Sequence, residues 1–261
     1  METVFGIRPR KRLSQTFLID ERVLAREVEH ARVRGKEVLE IGAGTGNLTE
    51  RLALSGARGV IAIEKDARLI GTLKERLRAH PNVVIVHADF LEYEIEKTDV
   101  IISNVPYSIS SPLTFKLTGI EFERAILCYQ KEFAERMVAR PGTSDYSRLS
   151  VMAQLCFDVR LLEVVPRGAF HPIPKVDSAI VELKKTGRAL TEFQKKFITA
   201  LFTHKNKTVR NALIDSAKFL DIGKGEAREL GERISLKERR VFTLSKEEIL
   251  KICGELEKLF K

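Results

Sequence analysis

The sequence is poor in several features that define whole classes of proteins. It has no tryptophan, four tyrosines and three cysteines in 261 residues, and no apolar run approaches the roughly 18 residues of a membrane span. Cys128, Cys156 and Cys253 lack the paired spacing of a zinc or redox site, so we expect buried thiols and no metal. The basic N-terminal segment has no apolar stretch like that of a signal peptide. We therefore expect a cytoplasmic protein without membrane association.

Positive charge is abundant and concentrated near the C-terminus. The chain has 45 Lys and Arg against 36 Asp and Glu, a net charge of +9. Residues 184–261 hold 19 basic and 11 acidic side chains, whereas residues 1–183 hold 26 and 25. A basic region beside a nearly neutral body favours a polyanionic partner, most simply nucleic acid, over the alternative of a solvated helical surface. The scarcity of aromatic rings favours recognition of nucleic-acid shape over extended stacking on single strands.

Short β-branched runs alternate with amphipathic stretches from Glu37 to about Leu183. Strands are predicted at Glu37–Ile41, Gly59–Glu64, Val83–His87, Asp99–Ser103, Arg124–Tyr129, Phe157–Val165 and Ser178–Leu183. Helices are predicted at Gly46–Leu54, Asp66–Arg78, Pro112–Thr118 and Lys131–Ala139. This alternation predicts an α/β fold, doubly wound around a mainly parallel seven-stranded sheet. No clear helix separates the last two strands, so we expect an antiparallel edge.

The pattern changes after Lys184. No strand signal remains, and helices are predicted at Thr191–Thr203, Lys207–Lys218, Gly225–Leu230 and Ser245–Leu259, with Thr191 and Ser245 as N-caps. We therefore expect one domain over residues 1–186, with its basic N-terminal segment, and a small all-helical domain over residues 187–261.

A glycine-rich loop follows the first of these strands. In Gly42-Ala43-Gly44-Thr45-Gly46-Asn47, the third glycine comes one residue earlier than in the dinucleotide fingerprint. Glu64 ends the next strand, where a carboxylate can accept hydrogen bonds from both ribose hydroxyls. Taken alone, the glycines are also typical of tight turns.

Asp89 and Phe90 follow the third strand. The Asp89 carboxylate could accept an adenine amino group while Phe90 covers the ring, although Asp89 alone also fits a helix cap. Because three strand ends agree in spacing, the pattern favours an adenosine group without a pyrophosphate. S-adenosylmethionine fits this description.

Asn104-Val105-Pro106-Tyr107 follows the buried strand that ends at Ser103. The Asn104 side-chain oxygen and the Val105 carbonyl, which Pro106 biases toward an extended backbone, could accept hydrogen bonds from a base amine. Tyr107 offers a ring on which the base could stack. Two acceptors would stabilise the positive charge that develops on an amine as it attacks an electrophilic methyl group. A plain strand-end turn is the alternative.

These residues resemble the ribosomal RNA adenine N6,N6-dimethyltransferases over nearly the whole chain. The similarity includes the glycine loop, Glu64 and Asp89, together with the segments at 10–18, 104–112, 148–154 and 170–178. It is strongest to the branch that converts two adjacent adenosines near the 3′ end of small-subunit ribosomal RNA to dimethyladenosine. Thr16 stands where bacterial relatives usually carry Asn, and Val105 replaces their usual Leu.

The resemblance implies a Rossmann-like class I methyltransferase that uses S-adenosylmethionine and releases S-adenosylhomocysteine. It implies cofactor contacts from Gln15, Thr16, Leu18, Gly42, Gly44, Glu64, Lys65, Asp89, Phe90 and Asn104. The catalytic group would comprise Asn104, Val105, Pro106 and Tyr107, with Phe170 on the other face of the adenine. Without the resemblance, core packing explains Phe170 equally well.

The expected partner is small-subunit ribosomal RNA within a pre-ribosomal particle, bound by a monomer. Phosphate contacts are predicted for Arg10, Lys11, Arg12, Lys205, Lys207 and Arg210. Two alternatives stay open: dimethylation of large-subunit ribosomal RNA, and a ribosome-assembly or nucleic-acid-binding factor that keeps the fold without catalysis.

Overall fold

The computed structural model describes residues 15–259, which form two compact units. The first comprises residues 15–134 and 158–185, and the second comprises residues 135–157 and 186–259. The sequence-based division into 1–186 and 187–261 stays a prediction. The structure groups residues 135–157 with the C-terminal helices, although the sequence pattern had placed them in the first domain.

The strands of the first unit follow the predicted order closely. They are β1 (Phe17–Leu18), β2 (Glu37–Ile41), β3 (Gly59–Glu64), β4 (Val83–His87), β5 (Val100–Asn104), β6 (Arg124–Gln130), β7 (Phe157–Val165), β8 (Phe170–His171) and β9 (Ser178–Lys185). Seven of them form one sheet in the described chain, in the order β4-β3-β2-β5-β6-β9-β7. The short strands β1 and β8 pair antiparallel in a sheet of their own.

The seven-stranded sheet is parallel from β4 to β6. Strand β9 runs antiparallel to β6, as the missing helix between the last two predicted strands had indicated. The chain order reverses between β2 and β5, which lie side by side at the centre of the sheet. Ligands bind to sheets of this kind outside the carboxyl ends of the strands, at such a reversal.

The helices of the first unit are α1 (Glu21–Ala31), α2 (Asn47–Leu54), α3 (Ala67–Arg76), α4 (Ser110–Lys116) and the start of α5 (Lys131–Met137). Helix α1 was not predicted. It begins at the N-cap Asp20, whose carboxylate accepts from the N–H groups of Arg22 and Val23. Its buried positions recur at helical spacing, and Glu27 is one of them. A carboxylate in that stripe breaks the apolar pattern on which the prediction relied.

The helices of the second unit are α6 (Arg148–Cys156), α7 (Glu192–Thr203), α8 (Val209–Asp215), α9 (Lys224–Arg233) and α10 (Lys246–Leu259). The predicted caps are confirmed: Thr191 Oγ1 accepts from the Gln194 N–H at 3.1 Å, and Ser245 Oγ accepts from the Glu248 N–H at 3.1 Å. Helix α8 begins two residues later than predicted, because Thr208 caps it. Lys207 therefore precedes the helix.

Helix α6 was also missed, and its burial explains why. Seven of its residues are buried, so it presents no polar face and no amphipathic period. Helix α6 packs against α7 and α10 within the second unit. Among residues 15–259, no helix is both long and apolar enough to cross a membrane.

Candidate active site

A cavity of about 330 Å³ lies at the carboxyl ends of the parallel strands in the first unit. Its volume is within the range of small-molecule sites, roughly 300–1,000 Å³. All ten residues predicted to contact the cofactor line it: Gln15, Thr16, Leu18, Gly42, Gly44, Glu64, Lys65, Asp89, Phe90 and Asn104. The structure thus brings together residues that are up to 89 positions apart in the chain, from Gln15 to Asn104. Their contacts with a cofactor stay a prediction.

The glycine loop forms one wall of the cavity by turning sharply between β2 and α2. Gly46 caps α2 with φ of 84°, in the left-handed region that favours glycine. A Cβ on Gly46 would lie 3.0 Å from Leu73 Cδ2, so the early third glycine also permits close packing on α3. The next residue, Asn47, donates from Nδ2 to the Leu18 carbonyl at 3.3 Å. The loop is thereby tied to β1 as well as to α3.

Glu64 ends β3 with its carboxylate held by the backbone. Oε2 accepts from the Gly44 N–H at 2.8 Å, and Oε1 accepts from the Asp66 N–H at 2.7 Å. Each oxygen has a further lone pair, so each can still accept one hydroxyl group. Burial raises the pKa of Glu64, and the backbone N–H groups of Asp66, Gly44 and Lys65 partly offset that rise. The arrangement suits a ligand with two neighbouring hydroxyl groups.

Asp89 lies beside Lys65 at the far end of the cavity. Lys65 Nζ pairs with Asp89 Oδ2, and Asp89 Oδ1 accepts from the Leu91 N–H at 3.0 Å. Burial opposes ionisation of Asp89, but the hydrogen bonds from Lys65 and Leu91 outweigh it, so the pKa of Asp89 lies below its usual range. The carboxylate is therefore ionised at neutral pH. The Phe90 ring, 3% exposed, also lines the cavity.

The segment at 15–18 closes another side of the cavity. Gln15 Nε2 donates to Asp66 Oδ2 at 2.9 Å, and Asp66 in turn caps α3. Thr16 lies near the hydroxyl of Tyr107 and partly offsets the rise in the pKa of Tyr107 that burial causes. Thr16 thus connects this segment to the Asn104–Tyr107 turn, although it differs from the residue usual in bacterial relatives.

Asn104 is the last residue of β5 and carries the decisive polar group of the site. Its Nδ2 donates to Glu27 Oε2 at 3.1 Å. Its Oδ1 is buried and has no hydrogen-bond partner among the described residues. A buried acceptor without a partner is costly. An orphaned oxygen in a ligand-sized cavity fits an acceptor for a ligand N–H.

The rest of the turn is anchored on both sides. The Val105 N–H donates to the Cys128 carbonyl at 3.1 Å, and Pro106 lines the cavity. Gly42 lies so close to Pro106 that a Cβ there would come within 3.7 Å of the proline ring. The Tyr107 hydroxyl hydrogen-bonds to Ser178 Oγ at 2.8 Å. The direction of the Val105 carbonyl stays a prediction.

The Phe170 ring lies in the core rather than along the cavity. It is 3% exposed, packs in the main hydrophobic cluster, and belongs to β8, where it pairs with Leu18 of β1. The packing interpretation of Phe170 therefore agrees with where the structure places it. Stacking of this ring on an adenine stays a prediction.

Two buried carboxyl groups next to the cavity were not singled out from the sequence. Glu27 on α1 is 1% exposed and Glu40 on β2 is 2% exposed. Burial raises the pKa of each to about 8, partly offset for Glu27 by the hydrogen bond from Asn104. Two signals in the sequence could have revealed them. Glu27 interrupts the apolar stripe of α1, and Glu40 lies two positions before Gly42, the first glycine of the loop.

Three of the six residues predicted to contact RNA phosphates lie in the described chain, and each has a partner within the second unit. Lys205 Nζ donates to the Ser144 carbonyl at 2.7 Å, Lys207 Nζ pairs with Asp215 at 2.5 Å, and Arg210 pairs with Glu232 at 2.8 Å. Lys205 thus has a structural role in a loop, and the other two are in exchangeable surface pairs. Arg10, Lys11 and Arg12 lie outside the described residues.

No group of three or more His, Cys, Asp or Glu side chains is arranged to hold a metal ion within residues 15–259. The three cysteines are free and buried.

Comparison with known proteins identifies the family. The model of the family described as ribosomal RNA adenine dimethylase matches residues 6–258. The chain belongs to this family. It is 44% identical over 266 aligned positions to a Methanopyrus kandleri protein named probable ribosomal RNA small subunit methyltransferase A, covering 98% of this chain and 95% of the relative.

Two solved structures share the dimethylase fold. A dimethyladenosine transferase from Plasmodium falciparum is similar with a TM-score of 0.81 and 33% identity, covering 93% of this chain and 98% of that one. The 23S rRNA methyltransferase ErmE is similar with a TM-score of 0.67 and 31% identity, covering 92% and 99%. The predicted Rossmann-like fold with a helical C-terminal region is thus confirmed, and the chain is a methyltransferase of the dimethylase family.

Proposed function

We propose that this protein transfers methyl groups from S-adenosylmethionine to the N6 amines of two adjacent adenosines near the 3′ end of small-subunit ribosomal RNA. The observation that carries the proposal is the buried, partnerless Oδ1 of Asn104 in the cavity. An amine donor is the chemical complement of that atom. Membership of the dimethylase family, together with the name of the Methanopyrus kandleri relative, supports the choice of adenine in small-subunit RNA.

The cavity fits S-adenosylmethionine by the chemistry of its donors and acceptors. The Glu64 carboxylate would accept the two ribose hydroxyls, each on an oxygen that already has one backbone N–H. The ionised Asp89 would accept the adenine amine of the cofactor, and Phe90 would cover its ring. When bound, this cofactor supplies a methyl group on a positively charged sulfur.

Asn104 would act on the target amine, which is a weak nucleophile because its lone pair is delocalised into the base. By accepting an N–H of the amine, Asn104 Oδ1 would favour tetrahedral nitrogen and stabilise the positive charge that develops there. The Val105 carbonyl would serve as the second acceptor. Neither group is a strong base, and the methylated ammonium is acidic enough to lose its proton to water.

Tyr107 would hold the target base from one face. Its hydroxyl is hydrogen-bonded to Ser178 Oγ, so the ring has a defined orientation before the base arrives. Stacking of a base on an aromatic ring contributes roughly 1–3 kcal/mol. Phe170 would reach the other face only after leaving its core position. The target adenosine has to enter unpaired or flipped from its stack.

The proposal extends to the setting of the reaction. A monomer would act in the cytoplasm on a pre-ribosomal particle, with residues 1–186 carrying catalysis and residues 187–261 binding RNA. In that setting, Lys207 and Arg210 would exchange their carboxylate partners for phosphates.

The test measures methyl transfer from S-adenosylmethionine to unmethylated small ribosomal subunits and to naked large-subunit RNA, with mass spectrometry to locate dimethyladenosine. We expect two adjacent modified adenosines in the small-subunit RNA alone. Transfer only to large-subunit RNA, the substrate class named for ErmE, would overturn the proposal. Failure to bind S-adenosylmethionine in calorimetry would instead favour a non-catalytic assembly factor.

A further inference from the structure

Glu27 has no part in the chemistry described so far, yet it contacts the central residue of the site. It is 1% exposed on α1, and its Oε2 accepts from Asn104 Nδ2 at 3.1 Å. A fully buried carboxyl group is unusual unless it is paired or hydrogen-bonded. Within the described chain, its hydrogen-bond partner is the same amide whose oxygen has none.

The two ends of the Asn104 amide have opposite hydrogen-bonding character. If the amide rotated by half a turn, Oδ1 would face Glu27 and the NH₂ group would face the incoming adenine amine. The NH₂ group of Asn104 and the adenine amine, both hydrogen-bond donors, would then face each other, and the amine would have no acceptor. The productive orientation therefore depends on a neighbour that prefers the NH₂ end.

We propose that Glu27 is a positioning residue for methyl transfer: by accepting the hydrogen bond from Asn104 Nδ2, it keeps Asn104 Oδ1 available to the adenine amine. This inference rests on the proposed function. An ionised Glu27 only accepts hydrogen bonds, so it enforces the productive orientation. A protonated Glu27 also has an O–H that can donate to Oδ1 in the rotated amide, so protonation relaxes the selection.

The surroundings of Glu27 place this switch in an accessible pH range. Burial is the main cause that raises its pKa to about 8, and the negative charge of Glu163 on β7 adds to the rise. Arg26 pairs with Glu163 at 2.8 Å. Glu40 on β2 is coupled to Glu27 and also has a pKa of about 8, whereas the buried Cys128 thiol on β6 has a pKa well above its usual value.

The sign of the pH effect follows from these contacts. As pH rises through about 8, Glu27 loses its proton and the productive amide orientation becomes the preferred one. The single-turnover rate constant should therefore rise, by up to about twofold if both orientations are equally populated below that pH. The charges of Glu27 and Glu40 interact, so the apparent pKa of the rate profile belongs to the pair. A variant of one of the two residues is needed to assign it.

The experiment compares single-turnover methyl transfer to unmethylated small subunits from pH 6 to pH 9 for the wild type and Glu27→Gln. Glutamine offers both an acceptor and a donor, so we expect the rise near pH 8 to disappear in this variant. The calorimetric Kd for S-adenosylmethionine should stay within about twofold of the wild-type value. An unchanged pH profile in Glu27→Gln would overturn the proposal and assign the inflection to Glu40.

Glu163→Gln is the matched control, because it makes the same change at a partly buried carboxylate that has no hydrogen bond to Asn104. It removes a negative charge near Glu27 and frees the positive charge of Arg26. We expect the inflection to persist and to move to lower pH. An inflection that stays at the same pH would contradict its assignment to Glu27. This measurement tests the proposal even if Glu27→Gln does not fold.

Glu27→Leu extends the test with a side chain that offers no acceptor. The single-turnover rate constant should fall at least about tenfold at every pH, while the KM for the subunits changes little. A changed KM with an unchanged rate constant would refute a positioning role. If the wild type transferred no methyl groups, the proposed function would fail; if the wild type were active and the variants behaved alike, only this inference would fail.

Discussion

Replacing Glu64 by glutamine tests the central cofactor contact. The carboxylate has two oxygens, each with one backbone N–H and one lone pair left over. Glutamine retains only one oxygen, so one predicted ribose hydroxyl loses its acceptor. The backbone hydrogen bond that is also lost exists with and without ligand, so it affects folding stability rather than affinity.

The expected magnitude follows from that single lost contact. A hydrogen bond to a charged group contributes roughly 1.5–3 kcal/mol. Because about 1.4 kcal/mol corresponds to a tenfold change in affinity, the Kd for S-adenosylmethionine should rise about 10- to 150-fold in Glu64→Gln. Isothermal titration calorimetry on the full chain measures this directly.

S-adenosylhomocysteine distinguishes the cause of the loss, since it has the same ribose but no positive charge on sulfur. We expect the two ligands to be weakened by similar factors. Glu37→Gln is the control, because Glu37 lies at the opposite end of the sheet with a side chain that is 59% exposed. A Kd for Glu64→Gln within about threefold of the wild-type value, with folding retained, would refute the assigned contact.

Three further predictions concern catalysis, packing and pH. Asn104→Ala should reduce methyl transfer far more than RNA binding, and full activity in that variant would remove the proposed mechanism. Gly46→Ala should lower the free energy of unfolding by about 2–5 kcal/mol, because the left-handed backbone costs about 1–2 and crowding against α3 about 1–3. Gly35 has a similar φ of 71°, but an added Cβ there would have no neighbour within 4 Å. Denaturation followed by circular dichroism should therefore show only the loss of about 1–2 kcal/mol from the backbone in Gly35→Ala. The raised pKa values of Glu27 and Glu40 mean that folding stability should decrease as pH rises from about 4.5 to about 8, by up to about 1.4 kcal/mol per pH unit for each group. Glu40→Gln should flatten that decrease, and a slope equal to that of the wild type would contradict the burial argument.

The parallel sheet could be predicted closely from the sequence. Strands β2, β3, β4 and β7 begin and end at the predicted residues, because each is a short β-branched run bounded by polar or turn residues. The placement of Glu64, Asp89 and Asn104 around one cavity followed from the same pattern, since each lies at or just beyond the end of a parallel strand.

What was missed depends on contacts between distant residues. Glu27 lies 77 positions from Asn104, and nothing in the α1 segment indicates that its carboxylate faces an amide on β5. The ion pairs of Lys207 and Arg210 are similar, because Asp215 and Glu232 become neighbours only when the helices of the second unit pack. Tertiary packing, rather than local propensity, decides these features.

The grouping of residues 135–157 with the C-terminal helices has a consequence for synthesis on the ribosome. Synthesis of the first unit is complete at residue 185. By then α6 has been synthesised, but its packing partners α7 and α10 have not. The apolar side chains of α6 must wait about 100 residues for the last of these partners, roughly 5–20 s at usual elongation rates. During that interval, a nascent chain carries an uncovered apolar helix, and chaperone capture at this stage would protect it from aggregation.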